Sequence, residues 1–369
     1  VRHRGLAAAL AAPLAALVLL AFAAPLALLL FRAVENTELA AAMPQSAALL
    51  RQWDGTRLPP AATQRVVADE LQAAAGSDTF GRLTRRANFE LTGARTLLLR
   101  AARGDLSDPR WAEPDIWLVL RHLSAPATPS YLLRAVDLAR APDGAVAPAD
   151  ERVFLPVMLR TLGISAAVAA ICVVLAWPLA FHIARLPPAR ARIWLALAMV
   201  PFWTSVLVRT AAWFVLLARE GPVNALLVAA GLLDAPAQIL FTRTAVLVAM
   251  VHMMLPFAVI AIHAALARRD PALSRAAASL GAGPVRRVVS VHWPASLPGV
   301  AAGFITVFVV SAGFYVTPAL IGGPGDQMMA GFISFFVNQT VNFGMAAALS
   351  VVLLAVVAAS LALLRRAAA

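Results

Sequence analysis

The chain has 369 residues, of which 61% are hydrophobic and only 14% charged, against roughly a quarter charged in an average soluble protein, so it reads as a membrane protein. A single cysteine, Cys172, excludes both a disulfide framework and a cysteine metal site and leaves redox chemistry without support. The net charge of +12 does not mark a nucleic-acid partner: residues 32–152 hold 15 arginines against 15 acids, and the surplus, 16 arginines against 4 acids, lies in the apolar remainder.

The first apolar run, Leu6 to Phe31, follows Val-Arg-His-Arg. It exceeds the about 7 to 15 residues of a signal-peptide core, so a retained membrane helix is expected, with cleavage near the small residues around Ala23 as the rival reading. Residues 32–152 differ in kind. They are charge-balanced, carry Trp53, Trp111 and Trp117, and are punctuated by Pro59-Pro60, Pro109, Pro114, Pro126, Pro129, Pro142 and Pro148. Periodic stretches over Gln64 to Ala75 and Asn88 to Arg103 predict short amphipathic helices, giving a small α-rich extracytoplasmic insertion. A partly disordered insertion without a binding role is the alternative.

Five further apolar runs follow, Leu155 to Ala184, Ile193 to Ala218, Ile239 to Leu266, Val300 to Ile321 and Asn342 to Leu364, each near the about 20 residues that cross a hydrocarbon core. The expected fold is therefore an all-α membrane protein of six transmembrane helices. Short arginine-rich loops stay cytoplasmic because their charges resist translocation. Arg2, Arg4, Arg185, Arg190, Arg192, Arg268, Arg269, Arg275, Arg286, Arg287, Arg365 and Arg366 all fall on one side of such a six-span path, while the opposite loops carry Arg219, Glu220, Asp234 and Asp326. Both termini are thus expected in the cytoplasm. The chain divides into an N-terminal helix (1–31), the insertion (32–152), a five-helix core (153–366) holding a cytoplasmic loop (267–298), and a short tail (367–369).

That loop is the most informative stretch. Asp270-Pro271 predicts a helix start, since Asp accepts from free N–H groups and Pro at the first position needs no donor. Leu280-Gly281 predicts its stop, glycine supplying the left-handed turn, with Ala282 beyond it, and Gly283-Pro284 starts a second short helix running toward Trp293-Pro294. Ala276, Ala277 and Ala278 allow close approach of a partner.

The loop resembles the EAA loop of ABC transporter permeases, the transmembrane subunits of binding-protein-dependent importers. In that family Glu-Ala-Ala is followed after three residues by Gly, then after nine by an aliphatic residue, any residue, an apolar residue and Pro. Here Ala276-Ala277 leads to Gly281, and Gly281 to Val291-His292-Trp293-Pro294. VPFWTSVLVRTAAWFVLL from Val200, LPFAVIAIHAAL from Leu255 and SLPGVAAGFITVFVVSAGFYVTPALIGGPGDQMMAGFI from Ser296 are similar to spermidine/putrescine-type permeases. So are FGMAAALSVVLL from Phe343 and TLGISAAVAAICVVLAWPLAFHIAR from Thr161.

The resemblance implies a multi-pass protein of the bacterial inner membrane that binds no cofactor itself. Its implied partners are a cytoplasmic ATPase dimer that holds the ATP, a second permease subunit, a periplasmic solute-binding protein and the lipid bilayer. The implied cargo is a polyamine such as spermidine or putrescine, although related permeases move ferric iron, phosphonates and thiamine. Asp270, Arg275, Ala276, Ala277, Leu280, Gly281, Ala282, Val291 and Pro294 are the implied ATPase-coupling residues. Arg275 departs from the family, which has glutamate there. As a cation in the half of the helix that favours anions it gains nothing from the macrodipole. It is either answered by a carboxylate on the ATPase or simply solvated.

Polar residues in spans are expensive and point to function. Thr204, Ser205 and Arg209 on the third span, His252 on the fourth, and Ser311, Tyr315 and Thr317 on the fifth are candidates for the translocation path, with Asn338, Gln339 and Asn342 before the sixth. Arg209 is open between snorkelling to water and gating, and His252 between a helix–helix hydrogen bond and a pore contact. Gly322-Gly323-Pro324-Gly325 lacks the Gly-Lys-Ser/Thr of a phosphate loop and predicts a re-entrant turn. No catalytic triad or His-Glu-x-x-His occurs, so an enzyme is not expected. The rivals are a membrane receptor or scaffold with an external sensing region, and a secondary transporter, which should place acids at mid-membrane where this chain has none.

Overall fold

The computed structural model describes residues 11–140, 145–149 and 151–368. Arg2, Arg4, the start of the first predicted span and the side chains of Arg365 and Arg366 lie outside the described residues. Two compact units emerge, one running to Phe154 and including Thr340–Val352, the other comprising Leu155–Gln339 and the chain from Leu353 onward.

Among the described residues six helices are long and apolar enough to cross a membrane: Ala11–Val34, Phe154–Ile183, Val206–Ala229, Arg243–Ala267, Pro284–Ala312 and Phe343–Leu364. The first, second, fourth and sixth lie on runs legible from composition. The third does not follow Ile193 to Ala218. Pro201, which cannot donate to the helical ladder, stands at a tight turn (Val200–Trp203) that closes the helix Pro188–Met199, and a new helix starts at Val206 after the extended Thr204-Ser205. That new helix ends at Leu217, and the span resumes over Pro222–Ala229. The fifth span also differs from Val300 to Ile321. It begins much earlier, at Pro284, and ends at Ala312; Val316–Ile321 is a separate short helix beyond Gly313.

In the first unit, residues 35–149 form short helices around a core of their own. Leu39, Leu50, Leu71, Leu83, Leu97, Leu98, Ile116, Leu120 and Leu123 are buried, each from a helix whose apolar residues recur on one face. The predicted helix over Gln64 to Ala75 is present as Ala61–Ala74. Asn88 to Arg103 is instead two helices, Asp78–Glu90 and Ala94–Ala101, broken at Gly93. The Asn88 side chain ties the break by accepting from Gly93 N–H at 3.0 Å. Asn36, buried, donates to the carbonyls of His122 (3.0 Å) and Ala125 (2.8 Å). A two-stranded antiparallel ribbon pairs Leu138–Arg140 with Val146–Pro148. Beside it Asp137 accepts from the backbone N–H groups of Val153 (3.1 Å) and Phe154 (2.9 Å), capping the start of the second span.

The second unit is built on the fourth and fifth spans. Gly299 and Gly303, four residues apart on one face, let the helices touch: a Cβ on Gly299 would lie 2.6 Å from Ala265 Cβ and 2.8 Å from Ala261 O, and one on Gly303 3.2 Å from Ala258 Cα. In lipid, helices associate by close van der Waals packing, so small residues at this spacing set the contact. The second span is pinned to the chain after the fifth by Thr161, whose hydroxyl accepts from Met329 N–H at 2.8 Å, and by Arg160, which donates to Gln327 O at 3.2 Å. Pro324–Asp326 forms a tight turn held by Arg243, which donates to Asp326 at 3.0 Å.

Candidate functional site: the loop between the fourth and fifth spans

The start and stop of the loop helix follow local backbone chemistry. Asp270 accepts from Ala272 N–H at 2.8 Å, and the helix runs from Pro271 to Ser279. It closes by a doubly bonded left-handed turn. Gly281, at φ +82°, donates to Ala278 O (3.0 Å) and Ala282 to Ala277 O (3.0 Å). A residue with a Cβ would be strained at that φ, which is why glycine stands there.

The second half of the loop is not a separate helix. Pro284–Arg287, the wide π-turn Val288–His292 and Trp293–Ala312 form one continuous rod, so Val291 and Pro294 belong to the fifth span itself. Pro294 has no N–H to give the preceding turn, and the π-turn with its longer hydrogen-bond step absorbs the mismatch there.

The surface is apolar and unpartnered within the chain. Leu280 is 88% exposed and Val285 76%, with Leu273 and Val289 also largely exposed. Ala276 is exposed and Ala277 half-buried. Arg275 is exposed; its carbonyl accepts from Ser279 Oγ at 3.2 Å.

The residues expected along the membrane path divide. Thr210 and Thr317 are brought together, their hydroxyls 2.9 Å apart and buried, and Thr317 also reaches Met253 Sδ at 3.5 Å. One turn along, Trp213 Nε1–H donates to His252 Nδ1 at 3.2 Å, so His252 makes a helix–helix hydrogen bond. Arg209 Nε is buried and makes no hydrogen bond. Thr204 and Ser205 lie on the extended break rather than on a helix. Ser311 is fully buried with its hydroxyl unbonded, and Tyr315 sits at the cap of the short helix after the fifth span. Asn338 folds back onto Ser334, Gln339 ends the same helix, and Asn342 caps the sixth span by accepting from Met345 N–H at 3.0 Å. Thr210 and Trp213 were not singled out from sequence. The Gly299-x-x-x-Gly303 spacing was also overlooked, although the spacing itself is a readable signal for helix contact.

With this geometry in place, comparison with known proteins gives a consistent result. The family described as binding-protein-dependent transport system inner membrane component matches residues 152–367. The spermidine/putrescine transport system permease protein PotB of Haemophilus influenzae is 30% identical over 203 residues, covering 54% of this chain and 71% of that protein. PotB of Escherichia coli is 31% identical over 180 residues, 49% of this chain and 66% of its own. The inner membrane ABC transporter permease protein YdcU of Escherichia coli is 32% identical over 222 residues, 57% and 71%. Against the PotB protein of Salmonella typhi the chain spans 63% of the relative's length.

Proposed function

We propose, because this chain belongs to the family of binding-protein-dependent transport system inner membrane components, that its loop at 267–298 is the lever through which a cytoplasmic ATPase moves the membrane helices. The chain is a permease subunit of an ABC importer and a multi-pass protein of the inner membrane, and it makes or breaks no bonds itself. The ATP is bound by the ATPase partner.

The observation that carries the reading is continuity. The exposed Leu280 and Val285 offer a partner an apolar grip, and Val285 stands on the same rod that runs to Ala312. A push on the loop is therefore a displacement of the fifth span, and through Gly299 and Gly303 of the fourth. Helix rods packed this closely shift as units, which is how a small movement at one end reaches the far side of the membrane. The coupling residues in this reading are Asp270, which starts the loop helix, Gly281 and Ala282, which stop it, Ala276 and Ala277, which admit the partner, and Leu280, Val291 and Pro294.

Further proposals follow from the arginine distribution and the family. The termini and this loop face the cytoplasm, and 32–152 is an extracytoplasmic insertion. One loop per chain implies a second permease subunit, since a pair of ATPase subunits needs two. The cargo is a small solute, and a polyamine is favoured by the names of the relatives at 30–31% identity. Thr210, Trp213, His252 and Thr317 are the polar cluster through which the path would pass. Arg275 meets a carboxylate of the ATPase in place of the family's opposite arrangement.

Copurification of the chain with an ATPase and a soluble binding protein, followed by identification of the ligand on the latter, tests this. ATP-independent uptake by the chain alone would overturn it. For the charge swap, Arg275→Glu is expected to lower coupled ATPase activity with the native partner; unchanged activity removes that contact.

A further inference from the structure

Behind the loop helix lies a cavity of about 570 Å³ whose lining is mixed in chemistry. Part of the lining is apolar and aromatic: Phe181, Ala184, Leu266 and Val288. Phe181 stacks on Trp177 (5.2 Å between rings) and meets the His292 ring edge-on (5.0 Å), while Trp177 meets Trp293 (5.6 Å). The lining also carries Arg185, which lies 5.2 Å over the Phe181 ring, together with Arg269, Arg275 and Arg287, against a single carboxylate, Asp270, which is already engaged with Ala272 N–H.

Among the described residues none of these four arginines is in an ion pair. Arg269 Nη1 donates to His292 Nδ1 at 2.5 Å, which requires that nitrogen to be the acceptor; Nε2 of the same ring lies 3.4 Å from Ser274 Oγ. The ring thereby holds the guanidinium in place. Yet Arg269 Nε and Arg287 Nε are both buried and make no hydrogen bond. Burial pulls the Arg269 guanidinium below its ordinary value. Like charges gathered beside apolar side chains, with unsatisfied N–H groups, are a cost that an anion would remove.

We propose that this cavity binds the phosphate of an anionic phospholipid, the guanidinium groups of Arg269 and Arg287 donating to phosphate oxygens while Phe181, Leu266 and Val288 meet the glycerol and upper acyl carbons. Guanidinium forks match phosphate oxygens in geometry as well as charge. The lipid is favoured over a free phosphate ion by the apolar part of the lining, which an ion would leave unfilled. At Arg269 and Arg287 it is favoured over an acidic side chain of a partner protein by the cavity's size, far larger than one carboxylate needs, while the ATPase carboxylate proposed above is met by the exposed Arg275 alone. Aromatic side chains with basic groups at a helix end are also what the membrane–water boundary selects. The proposal rests on the reading of this face as the cytoplasmic membrane boundary.

The test is native mass spectrometry of the full chain in detergent, delipidated and titrated with phosphatidylglycerol or phosphatidylcholine. Saturable binding of phosphatidylglycerol over phosphatidylcholine is expected. In the double variant Arg269→Gln with Arg287→Gln the Kd should rise about 25-fold, from roughly fivefold per arginine near an anionic headgroup. Arg190→Gln, on the same side but outside the cavity, should leave it unchanged, and Arg287→Lys, which keeps charge without the fork, should fall between. Matching thermal unfolding of the variants separates lost binding from lost folding. Equal affinity in the double variant would overturn the proposal, as would displacement of the lipid by inorganic phosphate. Loss of ATPase capture with lipid binding intact would overturn it in favour of a partner carboxylate. Failure of the wild-type chain to capture an ATPase at all would count against the proposed function and leave the lipid result standing.

Discussion

Residues 35–149 and the loop at 267–298 treat their own chemistry in opposite ways. The first region pairs charges within itself. Four of the five ion pairs among the described residues lie in or at its edge: Arg32–Glu35, Arg86–Glu90, Arg100–Asp108 and Arg110–Asp108. Leu39, Leu50, Leu71, Leu83, Leu97, Leu98, Leu120 and Leu123 are buried in its core, and Arg86, 2% exposed, lies 4.0 Å over the Tyr131 ring. The Arg110 side chain holds the Asp108 carboxyl down to about 2, so that pair persists at any physiological pH. The loop does the reverse, presenting Leu280 and Val285 outward, and among the described residues its arginines form no ion pairs. A region that pairs its charges and gathers its own apolar core offers a partner less than a loop that presents apolar side chains and arginines outward.

Substitutions at matched residues sharpen that contrast. The largest folding effect belongs to Leu120→Ala, at a fully buried position, which should destabilise the 35–149 region by about 2–5 kcal/mol. Hydrogen exchange in the full chain should show faster exchange across its helices. Next is Asp137→Ala, which removes the acceptor for Val153 and Phe154 N–H at a left-handed residue (φ 56°). A loss of about 1–2 kcal/mol is expected at the start of the second span, and Asp137→Asn, which keeps an acceptor and tolerates that backbone, should recover most of it.

A smaller effect is a pH dependence. Burial, then the charge of Arg140, lowers His122 below its ordinary value of 6.5. The unfolded chain therefore takes up this proton more readily than the folded one, so stability is full above 6.5 and declines as pH falls through that value. Hydrogen exchange of this region at about pH 7.5 and about pH 5.5 should show the decline, and His122→Gln should flatten it. At the bottom of the series, Leu280→Ala, the same chemical change as Leu120→Ala, should leave folding unaltered and weaken ATPase capture alone. Equal folding cost at both leucines would erase the distinction between the two regions.

What was legible in the sequence was whatever a few neighbouring residues determine. Asp270-Pro271 and Leu280-Gly281 announce the ends of the loop helix because capping and the left-handed turn depend on the backbone of those residues alone. Apolar runs announce that spans exist, since the hydrocarbon thickness sets their length. Their registers were less legible. Composition is apolar from Ile193 to Ala218, yet one proline, Pro201, decides that this is not a single helix. Conversely Pro294 reads as a stop and is absorbed by a π-turn, so that loop and fifth span are one rod. The cavity was invisible because it joins Phe181 and Arg185 to Arg269 and His292, residues distant in sequence that only the packed spans bring together.

The central claim is that the loop is gripped by an ATPase. Since Cys172 is the only cysteine, Cys172→Ala gives a background in which Leu280→Cys carries the one thiol. Cross-linking from that position in native membranes should capture the ATPase subunit, with a yield that changes on adding ATP, while Leu58→Cys in the 35–149 region should capture none. Cross-links from Leu280→Cys that never include an ATPase would contradict the account.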